Sequence, residues 1–117
     1  MDSKLTGLIG MCRRAGKLSA GFDAVCADIA AGRAVLVLLA TDASEKTCKE
    51  IRFAIAKHAC RLPYLCRTDA DKQALAHLIG FAKPVGVCCI TDKGFAAAML
   101  KSGLQPENRE NEEDIRI

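Results

Sequence analysis

The sequence predicts an α/β fold, a three-layer α/β/α sandwich built on a small, mostly parallel or mixed sheet of about four strands. Two short runs, "VLVLLA" (35–40) and "VGVCCI" (85–90), carry no charge and read as strands covered on both faces. Around them, apolar residues recur every three or four positions, the spacing of one helix face. Helical and extended segments alternate along the chain, an order that lays helices on both faces of a sheet.

The elements follow in order. Leu5, Leu8, Ile9 and Cys12 mark a first helix, with Arg13 and Arg14 in its last turn and Gly16 as its stop. A short extended piece, 17–20, leads to a second helix through Phe22, Val25, Cys26 and Ile29, closed by Gly32. After the 35–40 strand, Thr41, Asp42 and Ser44 are cap candidates for a third helix. Its inward stripe is Cys48, Ile51, Ile55 and Ala59; Lys46, Lys49, Arg52 and Lys57 face outward. "LPYLC" (62–66) is a short strand with Pro63 at its start. Thr68 and Asp71 resemble a capping box for a fourth helix through Leu75, Leu78 and Ile79, stopped by Gly80. Asp92 caps a last helix through Phe95, Met99 and Leu100. Residues 1–104 form one domain, and 105–117 are expected to be a disordered acidic tail.

Composition narrows the function. With one Tyr, four Phe and no Trp, the core is aliphatic and no aromatic platform exists for single-stranded nucleic acid. Seven cysteines, an odd number without a C-x-x-C pair or a leader-like N-terminal segment, predict reduced thiols in a cytoplasmic protein. No apolar run approaches the roughly 20 residues of a membrane span, so no membrane partner is expected. The first 104 residues hold 15 cations and 9 anions, a net +6 that the acidic tail partly cancels. A basic body points to a polyanionic partner.

Catalytic patterns are weak. "GKLS" (16–19) fails as a phosphate loop, because Met11 stands where the first glycine is required and Leu18 where the magnesium-binding hydroxyl is required. His58 and His77 are the two histidines, and His58 with Cys60 and Cys66 matches no common zinc spacing. Asp42, Asp69 and Asp92 fall at helix starts, where capping accounts for them. No enzyme activity, cofactor, metal or small-molecule substrate is expected, and the chain is expected to be a monomer.

The stretch "MCRRAGKLSAGFDAV" (11–25) carries the most information. Arg13 and Arg14 suit a helix C-terminus. Gly21, at the start of the second helix, permits close backbone approach to amides that have no helical partner. A phosphate oxygen or a base edge can accept from them, with Lys17 expected nearby. Lys46, in the loop after the 35–40 strand, is expected at the same edge of the sheet, whereas the side taken by Lys83 depends on the direction of the last strand. A surface of this kind, part backbone and part cation, suits folded RNA.

"GLIGMCRRAGKLSAGFDAV", "AVLVLLATDASEKT" and "VGVCCITDKGFAAAM" together resemble the ribosomal protein "seven-Ae / thirty-e" family of kink-turn RNA-binding proteins, in particular its bacterial ribosomal-protein-like branch. The resemblance implies an α/β/α sandwich and non-catalytic binding of structured RNA, with ribosomal RNA among the candidates, in the translation apparatus. In the family the second helix opens with Gly-x-Asn-Glu, followed three places on by Lys. Here Gly21 keeps the glycine, while Asp23, Ala24 and Ala27 take the other three positions. An ionised Asp only accepts hydrogen bonds, and Ala offers no side-chain bond. The second contact region of the family corresponds to Lys83, Pro84 and Val85, with Val85 suited to packing on an extruded base. The expected RNA-binding residues are therefore Arg14, Lys17, Gly21, Phe22, Asp23, Lys46, Lys83 and Val85. The altered Asn-Glu-Lys set supports an alternative, a protein-interaction module on the same scaffold.

Overall fold

The computed structural model describes residues 3–58 and 61–108. Five helices and four strands follow one another as α1 (Ser3–Arg14), β1 (Leu18–Ala20), α2 (Phe22–Ala30), β2 (Leu36–Leu39), α3 (Glu45–His58), β3 (Tyr64–Arg67), α4 (Lys72–Ile79), β4 (Val87–Ile90) and α5 (Lys93–Lys101). The expected place of Ala59 in the third helix, and the cysteine at 60, lie outside the described residues.

Every residue of β2 and β4 is buried, and alternation divides each strand between two cores. Leu36, Leu38, Cys88 and Ile90 pack with Leu5, Ile9, Leu75, Ile79 and Met99, beneath α1, α4 and α5. Val37, Leu39, Val87 and Cys89 pack with Val25, Ile29, Ile51 and Ile55, beneath α2 and α3. Cover on both faces is why these strands read as unbroken apolar runs.

The sheet order is β1-β4-β2-β3. Only β2 and β3 run parallel, joined by α3; β4 lies antiparallel to both β1 and β2. Of the two arrangements the sequence allowed, the sheet takes the mixed one. Alternation of helices and strands does not fix strand direction when a loop doubles back. α4 spans only about 12 Å, and residues 80–85 return beside it until the Val85 amide donates to the Lys72 carbonyl at 3.0 Å. The chain thus enters β4 at the end of the sheet where α4 began.

One local expectation changes and another narrows. Asp71 caps α4 alone, accepting from the Ala74 amide at 2.8 Å. Thr68 is buried and its hydroxyl turns inward to the carbonyls of Leu39 and Ala70, so no capping box forms. In α3 the cap is Ser44, whose hydroxyl accepts from the Thr47 amide at 3.1 Å. Asp42 instead accepts from the amide of Lys72, tying the loop after β2 to the start of α4.

The first residues of the expected tail are docked. Pro106 bridges Cys66, the Glu107 amide donates to the Leu65 carbonyl, and Asn108 accepts from the Leu65 amide while donating to the Pro63 carbonyl. Residues 106–108 thereby cover the outer edge of β3, satisfying a strand that would otherwise offer open backbone groups. Residues 109–117, with most of the tail's acidic side chains, lie outside the described residues.

Candidate functional site

The C-terminal ends of β1, β2 and β3 and the start of β4 share one end of the sheet, as the pairs Ala20–Cys88, Leu39–Val87 and Leu39–Arg67 show. Gly21 caps α2 there with φ 96° and ψ 153°, a conformation open to glycine almost alone. Its amide donates to the Val87 carbonyl at 2.9 Å, and its carbonyl accepts from the Val25 amide at 3.0 Å. No side chain caps the helix. The amides of Phe22, Asp23 and Ala24 have no partner within the helix and lie at its positive end. A β-carbon placed on Gly21 would meet nothing within 4 Å, so the approach is open.

Three other segments converge on this end. The Ala40 amide donates to Gly86, the Thr41 amide to Ala70, and the Lys72 amide to Asp42. Gly86 is their meeting point, since a β-carbon there would lie 3.8 Å from Lys72 Cδ and 3.9 Å from Ala43 Cβ. Lys46, in the first turn of α3, is exposed, as are Lys83 and Pro84 in the loop before β4. The antiparallel direction of β4 puts Lys83 at the Gly21 end, which the sequence left open. Lys46, Lys72 and Lys83 carry no ion pair among the described residues.

Lys72 and Arg67 were missed by sequence reasoning. Lys72 follows its helix cap directly, and only the return path of residues 80–85 brings its stem against Gly86. Arg67, at the end of β3, donates to the Thr41 carbonyl at 3.4 Å and to Cys48 Sγ at 3.2 Å, bracing the loop that carries Lys46.

Other expected residues lie differently. Phe22 is half-buried and packs against the α2–α3 core, anchoring the helix start. Asp23 is exposed beside it. Val85 is 4% exposed and belongs to the opposite core, so its side chain does not present the apolar surface expected of it; the exposed Pro84 does. Lys17 and Arg14 are not brought to Gly21. The Lys17 carbonyl accepts from the Thr91 amide at 2.9 Å, past the far end of β4. Lys17 and Gly21 are separated by the length of β1, about 13 Å. Arg13, in the last turn of α1 as expected, donates to the Ile79 carbonyl at 3.2 Å and lies 5.4 Å from the centre of the Phe81 ring, so it also closes α4.

Four buried thiols are held in their protonated form. Burial pushes Cys12 up to about 11, with Asp92 adding to the effect, and Cys66 and Cys89 up to about 12. Cys88 is raised further, again by burial first. A protonated thiol is a poor nucleophile and a poor metal ligand. Among the described residues no group of His, Cys, Asp or Glu is arranged to hold a metal ion, and no helix is long and apolar enough to cross a membrane.

Fold and site together define a small α/β/α domain with a helix start that no side chain caps at one end of its sheet. The chain belongs to the ribosomal protein L7Ae/L30e/S12e/Gadd45 family, whose model matches residues 3–100. It is 37% identical over 93 residues to an RNA-binding protein YlxQ from Enterococcus faecium, covering 80% of this chain and 84% of that one. An RNA-binding protein YlxQ from Bacillus subtilis is 34% identical over 93 residues, covering 80% and 88%. Among solved structures, a protein of unknown function from Bacillus halodurans superposes with a TM-score of 0.74 at 25% identity, covering 86% of this chain and 96% of that one. A Giardia lamblia 15.5 kD RNA-binding protein shares the fold with a TM-score of 0.66 at 19% identity, covering 84% and 80%.

Proposed function

We propose that this protein is a non-catalytic RNA-binding protein that holds a structured RNA at the Gly21 end of its sheet, in the translation apparatus. The observation that carries the reading is the uncapped start of α2, where Gly21 leaves the approach to the Phe22, Asp23 and Ala24 amides open. Lys46, Lys72 and Lys83 come from three separate segments at this end of the sheet. The names of the YlxQ relatives support RNA binding.

The chemistry favours a particular mode. Asp23, Ala24 and Ala27 remove the side chains with which kink-turn readers recognise bases. The backbone amides and lysines that remain suit phosphate and sugar oxygens, contacts that position an RNA without reading its sequence. A kink-turn RNA should therefore be bound with little preference over other bent or bulged RNAs.

A gel-shift series with a kink-turn and two unrelated structured RNAs tests this. Retention at low salt that falls steeply as salt rises supports it. Absence of retention with all three at low salt rejects it. The protein-interaction alternative predicts a protein partner that persists in cell extract after nuclease treatment.

A further inference from the structure

The cations of residues 11–25 that the Gly21 site does not use have a place of their own. The row Leu18, Ile90, Leu36 and Tyr64 marks the opposite end of the sheet. Lys17 precedes Leu18, Arg33 and Arg61 lie shortly before β2 and β3, and Lys93 follows β4. Arg14 and Lys57 close α1 and α3 at the same end. All six are exposed.

Among the described residues, carboxylates are scarce there and already hydrogen-bonded. Asp92 accepts from the Phe95 amide as the cap of α5. Asp28 is buried and accepts from Ser19, Arg33 and Cys89. Arg33 gives it only Nε, and its side chain remains 59% exposed. The Gly21 end differs, because Lys46, Arg67, Lys72 and Lys83 stand among Asp23, Asp42, Glu45, Asp69 and Asp71. Among the described residues, the end remote from Gly21 is the more positive of the two.

We propose that this remote end is a second polyanion-binding surface, centred on Arg14, Lys17, Arg33 and Lys93, that holds the phosphate backbone of RNA running past the Gly21 contact along β1. The proposal rests on the RNA-binding reading. β1 is the edge strand that joins the two ends, with Gly21 directly after it and Lys17 directly before it. The separation of about 13 Å is the span an RNA must cover to touch both ends. A short RNA fills the first site alone, and a longer one reaches both.

The test uses the full-length protein and two RNAs, a minimal bulged hairpin and the same hairpin with its stem lengthened by about ten base pairs. The lengthened RNA is expected to bind wild type more tightly, with a salt slope steeper by about three. The triple variant R14A/K17A/K93A should lose that increment and still bind the minimal hairpin within about twofold of wild type. The double variant K46A/K83A should weaken both RNAs. Circular dichroism confirms that each variant is folded. A triple variant that binds both RNAs like wild type overturns the proposal, as does one that weakens both equally. If wild type binds the minimal hairpin and gains nothing from the longer stem, the second surface falls and the first stands. If wild type binds neither RNA, both readings fall.

Discussion

Asp28 is held by three other side chains. Its carboxylate accepts from the Ser19 hydroxyl at 2.6 Å, Arg33 Nε at 2.8 Å and Cys89 Sγ at 3.4 Å, linking α2 to β1, β4 and the turn before β2. Burial alone would raise its pKa. The hydrogen bonds from Ser19, Arg33 and Cys89, with the charge of Arg33, more than offset that and hold it below the usual carboxylate range. The sign of the pH effect follows. A carboxyl depressed in the folded state stabilises above its unfolded pKa, near 3.9, and loses that contribution as pH falls through the lower folded value. Asp28→Asn should cost about 1–3 kcal/mol at pH 7, and urea unfolding should show the gap from wild type shrinking below about pH 4. At Gly21 the constraint is conformational. Gly21→Ala has room for its methyl group, yet φ 96° should make it destabilising by about 1–3 kcal/mol, readable as a lowered Tm. Gly21 was legible as a helix start because glycine before a helical periodicity has few other uses. Asp28 was not, because one Asp on an apolar helix face does not announce partners on β1 and β4.

The covered edge of β3 is a property of an element. The Leu65 amide and carbonyl are both satisfied by residues 107 and 108, and Arg52 adds an ion pair to Glu107 at 2.7 Å. The two interactions should differ in weight. Asn108→Ala strands a backbone amide and a carbonyl and should cost about 1–2 kcal/mol. Arg52→Ala breaks an exposed pair and should cost under about 1 kcal/mol. Denaturant midpoints of the two variants check the order. Truncation after Gln105 should bare the edge and promote self-association, visible by light scattering. Composition drew the domain boundary just before these residues, since a polar, charged sequence carries no apolar period to mark a docked strand. The four strands and five helices were legible for the opposite reason: strand runs apolar on both faces and helices with one apolar stripe identify themselves. Strand direction was not, because it depends on the loop path of residues 80–85.

For the whole molecule the two ends of the sheet differ in what they expose. The Gly21 end offers oriented amides among mixed charges; the remote end offers cations whose few carboxylates are occupied. The sequence revealed the excess of positive charge without its distribution. Four residues separate Lys17 from Gly21 in the chain, and the strand between them carries the two to opposite ends. K46A/K83A should lower the salt slope of binding to a minimal RNA by about two, one for each lost phosphate contact, and filter binding across a salt series measures it.

The central claim concerns the amides that open α2, and amide chemical shifts on titration with a minimal structured RNA test it most directly. The largest changes should fall on Phe22, Asp23 and Ala24, with smaller ones in residues 41–46 and 85–86. RNA binding that leaves the Phe22, Asp23 and Ala24 amides unmoved would contradict it.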